Sequence, residues 1–414
     1  MSERVDDEGN METAVAGGED YIDALPDELL QYIMSFLLSR DAVRTCVLAK
    51  RWRTLWKSVP ALRIDDPESY GGATGSSTFV DELIRFRDPT PLNVCVISSN
   101  CKEMVDDDTD WDEEAFEHVA PWIQYVLSRE VQDLTVDFPL RVTNITPISS
   151  HLKRLEFYNM RFEGSSLDFS SCQLLEVLKM DLCDIFADIF CLSLKHLDIG
   201  SGFDWDNRTY ILAPNLAGLR ISVNSGLTPF INTMPSLVSA SVTLGEGCAD
   251  YCGCGNLSCE GCPGEAGDVD LSIVLEGFSG VTNLELVIYD PALFIFRKDL
   301  KWCPMFSKLK TLLLNEWCLV DRFKGLVYFL QHSPILEKLT IELQFQLHQK
   351  EFLTENGESY YKPREHLLLS KHLKVVTISC ETREDVQIPH ILKILGAHGV
   401  PSGKIVIQSE DEED

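Results

Sequence analysis

The stretch "GCADYCGCGNLSCEGCPGE" sets Cys248, Cys252, Cys254, Cys259 and Cys262 within fifteen residues, the densest cluster of thiols in the chain. Thiolates bind zinc, and the pairs Cys248-x3-Cys252 and Cys259-x2-Cys262 have the spacing at which two sulfurs close a chelate on one ion. Only six residues separate the pairs, and no His lies inside. The preferred reading is a reduced insertion with no cofactor; zinc or redox chemistry in this loop is the alternative. The nine His are scattered, and no P-loop, dinucleotide-binding Gly fingerprint, H-E-x-x-H or G-x-S-x-G run occurs. No catalytic residue is assigned.

A second constellation, "LAKRWRTLWKSVP" at residues 48–60, mixes Lys50, Arg51, Arg53 and Lys57 with Trp52 and Trp56. That mixture suits nucleic acid, a membrane surface or a protein. The formal net charge of −29 argues against the first two, because phosphate and anionic lipid need a basic footprint. The carboxylates are concentrated: eight in residues 1–23, eight in 106–117 and five in the last six residues. Such runs are solvated faces or disordered tails. No basic flank followed by an apolar core opens the sequence, and no apolar run reaches about 18 residues. The 14 Cys are therefore expected to be reduced, in the cytoplasm and/or nucleus.

The elements around the basic run explain it. In "DALPDELLQYIMSFLLSRDAVRTCVLA", Pro26, Asp27 and Glu28 suit the first turn of a helix. Leu29, Leu30, Ile33, Met34, Phe36 and Leu37 cover more than one stripe of it, leaving apolar surface to spare. Asp41 is expected to cap a second helix, and Trp52 and Trp56 share a face of a third that ends at Pro60. About forty residues bury too little surface to stand alone, so the unit must dock.

This run, from Leu25-Pro26 through Ile33, Phe36-Leu37, Asp41-Ala42-Val43, Leu48 and Trp52 to Trp56, resembles an F-box. The resemblance implies a module that plugs a substrate receptor into a Skp–cullin–F-box (SCF) ubiquitin ligase. It implies a Skp-type adaptor as partner, and through it a cullin, with Leu25, Pro26, Leu29, Leu30, Ile33, Phe36, Leu37, Val43, Leu48, Trp52 and Trp56 as adaptor-binding residues.

Further along, an L-x-x-L-x-L pattern with substitutions recurs ten times, starting at Val131, Leu152, Leu175, Leu194, Leu216, Leu237, Val281, Leu309, Leu336 and Leu373. The first six starts lie 21, 23, 19, 22 and 21 residues apart; the next gap is 44. A spacing near 22 is the leucine-rich-repeat length, in which each unit buries its leucines against its neighbours. Side chains between the leucines point the other way and form a ligand-facing wall. On it stand Arg154, Glu156, Tyr158, Lys179, Asp181, His196, Asp198 and Arg220, with Lys338 and Glu342 further along. Mixed charge along this wall fits a protein substrate better than a polyphosphate.

The expected fold class is α/β: an N-terminal three-helix F-box followed by a curved leucine-rich-repeat solenoid. Residues 1–22 are read as a disordered acidic tail, 23–63 as the F-box and 64–125 as a connecting region. Residues 126–360 are read as repeats with a Cys-rich insertion at 246–268. The strand–helix–strand pattern of 361–408, with Pro389 opening the helix, resembles the FBD region of plant F-box/LRR proteins or a C-terminal cap; 409–414 is a second acidic tail. The resemblance to plant F-box/LRR proteins implies a non-catalytic substrate adaptor of a ubiquitin ligase, with no nucleic-acid or membrane partner. A scaffold outside any active ligase, and a metal- or redox-responsive protein acting through the cysteine loop, are the alternatives.

If the cysteine loop is an unliganded insertion, elemental analysis of purified protein finds no stoichiometric zinc. One zinc per chain, lost in Cys252→Ser with Cys262→Ser, is the result that reverses this reading.

Overall fold

In the computed structural model the leucines of the repeated pattern stand in register across one sheet. The structure describes residues 22, 24–65, 73–99, 113–143, 149–231, 234–250, 274–289, 295–300, 305–343, 372–382, 385 and 387–409. The expected acidic tails lie outside these residues, apart from Ile22 and Ser409, as do Cys252, Cys254, Cys259 and Cys262.

Three short helices come first: α1 (Asp27–Met34), α2 (Ser39–Arg44) and α3 (Trp52–Leu55). Pro26 stands at the cap position before α1, with Asp27 and Glu28 in the first turn. Asp41 is not the cap of α2, as expected, because the helix begins two residues earlier. Its carboxylate instead pairs with Arg44 at 3.1 Å, one turn on. Leu30, Met34, Ala42, Trp52, Leu55, Val59 and Ala61 form a small core of their own.

The chain then enters β1 (Ala61–Ile64) and alternates with two crossover helices: α4 (Ala73–Phe86), β2 (Val94–Ser98), α5 (Glu113–Ser128) and β3 (Asp133–Val142). Long and short strands follow in turn: β4 (Arg154–Phe162), β5 (Ser166–Asp168), β6 (Val177–Ile185), β7 (Asp188–Phe190) and β8 (His196–Phe203). Next come β9 (Tyr210–Leu212), β10 (Gly218–Gly226), β11 (Phe230–Ile231) and β12 (Ser239–Cys248). The last part holds β13 (Asn283–Ile288), α6 (Ile295–Asp299), β14 (Thr311–Asn315), α7 (Val320–His332) and β15 (Lys338–Leu343). It ends with β16 (Val375–Cys380), α8 (Ile388–Ala397) and β17 (Ile405–Ser409).

The long strands make a 13-stranded sheet in chain order, and the short strands β5, β7, β9 and β11 make a second sheet of four. Every neighbouring pair in the large sheet is parallel. A parallel pair needs a crossover, and its length sets the repeat length. The units that start at Leu152, Leu175, Leu194 and Leu216 return through a strand of two or three residues, whereas those that start at Val281 and Leu309 carry α6 and α7.

The register puts Leu134, Leu155, Leu178, Leu197 and Leu219 opposite one another, and the row continues through Ala240, Leu284, Leu312, Leu339 and Val376. All ten are buried. A parallel row runs from Val136 through Phe157, Met180, Ile199 and Ile221 to Ile378. The pattern is thus a single apolar stack shared by consecutive strands.

Two further features of the sheet follow. The 44-residue gap contains no missing rung of the large sheet, since β12 pairs directly with β13. Residues 64–125 do more than connect: β1 and β2 extend the same rows with Leu62, Ile64, Cys95 and Ile97. At the exit of β10, Gly226 has φ +79°, and a Cβ there would lie 2.0 Å from the Phe203 carbonyl oxygen, so only glycine fits.

Leu178 is fully buried in the middle of the stack. Leu178→Ala is expected to lower stability by about 2–5 kcal/mol, read from urea denaturation, while Lys179→Ala next to it changes stability little.

Candidate functional site

Two surfaces stand out, one at each side of the junction between the helices and the sheet. On α1 the helical period separates the apolar residues by direction. Leu30 and Met34, four apart, face inward; Leu29 and Ile33, with Phe36 and Leu37 just past the helix end, face solvent. Phe36 is 63% exposed and Leu48 69% exposed, values that a folded domain gives to large apolar groups only sparingly. Tyr32 and Val47, not singled out from the sequence, are exposed with them, and the Tyr32 and Phe36 rings meet edge to face at 5.1 Å.

Of the eleven residues expected to contact an adaptor, Pro26, Leu29, Ile33, Phe36, Leu37 and Leu48 are exposed. Leu25, Val43 and Trp56 are half-buried. Leu30 and Trp52 are corrected: at 0% and 8% exposure they belong to the module's own core and support the face from beneath.

The basic run also reads differently in three dimensions. Arg51 donates from Nε to the Asp27 carboxylate at 2.7 Å and from Nη2 to the Leu25 carbonyl at 2.6 Å. It therefore ties the start of α1 to α3, and its charge meets an acidic protein surface that is this module's own. Trp56 donates from its indole N–H to the Arg53 carbonyl at 3.1 Å, and Lys57 lies 5.8 Å from its ring.

The module is fixed directly to the sheet. The Arg63 backbone N–H donates to Ser39 Oγ at 2.9 Å, and its side chain donates to the Ser35 carbonyl at 2.9 Å. Arg87, at the far end of α4, is buried and donates to the Val59 and Ala61 carbonyls, the segment that leaves α3 and starts β1. Burial lowers the pKa of this guanidinium. Ser58 donates to Asp88 at 2.6 Å alongside it.

The second surface is the outward face of the large sheet. All eight residues expected on it have side chains off the buried rows. In register, Glu156, Lys179, Asp198 and Arg220 sit side by side on β4, β6, β8 and β10, an alternation of charge across four strands. Adjacent opposite charges favour this pairing of strands.

The eight fall into two groups. Arg154 pairs with Glu156 at 3.5 Å, the Tyr158 hydroxyl donates to Glu156 at 3.1 Å, and Lys179 reaches Asp181 at 3.8 Å. Lys179 also lies 5.0 Å from the Tyr158 ring. Hydrogen bonding with Tyr158 raises the Lys179 pKa, and burial pushes the Tyr158 phenol up. In the other group, the side chains of His196, Asp198 and Arg220 make no hydrogen bond or ion pair among the described residues.

Those three line an open depression of about 610 Å³ with Gly218, Ser239, Ser241 and Glu285. Gly218 keeps its floor low, since a Cβ there would come within 2.8 Å of His196 Nδ1. Glu285 was missed in the sequence although it stands between Leu284 and Leu286, where the alternation rule places it. Beyond it, Glu342 has its pKa raised, first by burial and then by the charge of Glu285.

Cys248 closes β12 and is 1% exposed. Its thiol is pushed up to about 12 by burial and lies 3.6 Å from Asp250 Oδ2, which also accepts from the Thr228 backbone N–H. This cysteine is held as a neutral donor rather than a thiolate.

Residues 22–63 match the F-box domain family. The chain is 28% identical over 280 residues to an F-box/LRR-repeat protein of Arabidopsis thaliana, covering 56% of this chain and 69% of that one. It is 27% identical over 411 residues to the MEIOTIC F-BOX protein MOF of Oryza sativa subsp. japonica, covering 90% of this chain and 80% of that one. Over 70 residues, 17% of this chain and 16% of the other, it is 47% identical to an FBD-associated F-box protein of Arabidopsis thaliana. The chain therefore carries an F-box and resembles the F-box/LRR-repeat proteins of plants.

A carboxyl whose folded pKa is raised costs stability as pH climbs through and above its usual range, because the fold resists losing the proton. Glu342→Gln is expected to raise the thermal midpoint at pH 7, with the gain vanishing by about pH 3, where the carboxyl is protonated in both states.

Proposed function

We propose that this chain, an F-box fixed to a long parallel sheet and similar to plant F-box/LRR-repeat proteins, is the substrate-recognition adaptor of an SCF E3 ubiquitin ligase. The F-box binds a Skp-type adaptor and through it a cullin. The sheet is a leucine-rich-repeat solenoid whose outward face holds a protein substrate for ubiquitination, and β16, α8 and β17 are its FBD-like cap. The chain itself makes and breaks no bonds, and works in the cytoplasm and/or nucleus.

The observation that carries this reading is the exposed apolar face of residues 25–48 within the matched F-box. Leu29, Tyr32, Ile33, Phe36, Leu37, Val47 and Leu48 leave more apolar surface in water than a module this small tolerates without a partner. Burying six such side chains contributes roughly 9–18 kcal/mol gross, from which the costs of association are subtracted. The joint through Arg63 and Arg87 supports the adaptor role as well, because it holds the two docking surfaces at a fixed separation. A receptor of that kind acts by raising the effective concentration of its substrate near the charged enzyme.

Purified full-length chain is expected to bind a Skp-type adaptor tightly. Phe36→Ala and Leu48→Ala are each expected to weaken binding about 10–100-fold, and Leu25→Ala with Pro26→Ala to weaken it as well, read by titration calorimetry. Full affinity in all of these variants would count decisively against the docking surface. Cullin co-purification and ubiquitin transfer to a bound protein then separate a ligase subunit from a scaffold.

A further inference from the structure

The outward face of the sheet is uneven in how its charges are satisfied. From β3 to β6 they are settled internally: Arg154 with Glu156, Lys179 with Asp181, and Arg161 with Glu163 at 2.8 Å. A partner docking there must break or desolvate pairs that already exist, which yields little net affinity. From β8 to β13 the position is reversed. Arg220 and Glu285 have no ion-pair partner among the described residues, although both sit on the same row two strands apart. Two steps between strands span about 10 Å, too far for the two side chains to neutralise each other.

The same stretch is where the face is hollow. Gly218, Ser239 and Ser241 set a low floor between His196 and Arg220 on one side and Glu285 on the other. The hollow therefore presents Arg220, with Asp198 in register beside it, at one side and Glu285 at the other, over a floor of backbone and hydroxyl groups.

From this juxtaposition we infer that the hollow between β8 and β13 is the substrate-contact site, and that it takes an extended segment of a partner protein carrying an acidic side chain two to four residues from a basic one. The acid meets Arg220; the Lys or Arg meets Glu285. An extended chain places side chains of one face about 7 Å apart, so these spacings, with the reach of a basic side chain, cover the gap. The assignment rests on the proposed receptor role and narrows it from the whole face to one hollow. It also makes the charges on β4 and β6 structural. The chain's net charge of −29 favours a partner whose remaining surface is basic, by long-range attraction.

The test uses the full chain bound to its Skp-type adaptor and a synthetic library of immobilised peptides randomised over Asp, Glu, Lys, Arg, Ser, Ala, Val and Leu. The wild type is expected to enrich peptides with an acid two to four residues from a base. Arg220→Glu is expected to lose the selection for the acid about tenfold, and Glu285→Lys the selection for the base by a similar factor. Gly218→Val, which fills the floor, removes both selections. Arg154→Glu leaves the profile unchanged. Thermal midpoints and adaptor capture check that each variant is folded. An absence of enrichment by the wild type, an unchanged profile in Arg220→Glu, or an Arg154→Glu effect as large as that of Arg220→Glu overturns the assignment. Loss of adaptor capture in Leu25→Ala with Pro26→Ala, with the peptide profile intact, separates the F-box reading from this one. Failure of the wild type to capture the adaptor at all sinks the receptor role.

Discussion

The apolar rows of a parallel sheet cannot be buried by any single strand, and the rest of this molecule follows from that constraint. A strand such as β6 offers Leu178 and Met180 on one side, and neither is covered until β4 and β8 lie against it in register. The free energy of the stack is therefore a nearest-neighbour quantity, gained rung by rung. Thirteen rungs share it, and a slip of one residue between any two strands would turn the leucines outward and the charges in. Register is consequently held by two independent features. Inside, it is held by the fit of the rows; outside, by contacts that cross between β4 and β6, Lys179 to the Tyr158 ring and Arg161 to Asp184 at 3.8 Å.

A stack of this kind has two ends, each with an uncovered rung. At the N-terminal end the problem is solved by the helical module, whose core continues through Val59 and Ala61 into β1. Arg87 makes the join rigid. A buried guanidinium is tolerated only where its donors meet acceptors, and the Val59 and Ala61 carbonyls supply them. The small helical unit, too short to be stable alone, thus borrows stability from the sheet it caps. In exchange, its own apolar face is left free for another protein. At the other end α8 packs Ile388, Ile391, Ile394 and Leu395 inward beside β16 and β17.

The sequence was legible where one interaction type dominated. Period and register were plain for the ten units built on aliphatic residues, because burial selects the same residue types each time. The first two rungs escaped notice for a physical reason. β2 fills the leucine position with Cys95, and the crossovers through α4 and α5 stretch the spacing well past 22 residues. On α1 the excess of apolar residues was visible, but not its division. Leu29 and Leu30 are identical as letters, and only the packing of Leu30 against α3 and its neighbours separates anchor from docking surface. The link from Arg51 to Asp27 across 24 residues is invisible without the fold.

The wall of the sheet carries the same lesson one step further, because there the sequence identifies the side chains but not how their charges are used. Alternation along a strand says which side chains leave the core; it says nothing about whether they pair among themselves. That pairing is uneven across the sheet. Arg154, Glu156, Tyr158, Lys179 and Asp181 lie close enough to settle one another's charge. Ser241 separates Arg220 from Glu285 on their row, and that one short, neutral residue keeps both charges available. A binding face needs charges that the fold has not already used. Paired groups such as Lys179 with Asp181 are already settled within the fold, whereas Arg220 and Glu285 are not. By that criterion the two halves of one continuous sheet differ: β4 and β6 settle their charges internally, and the hollow between β8 and β13 leaves Arg220 and Glu285 without an ion-pair partner among the described residues.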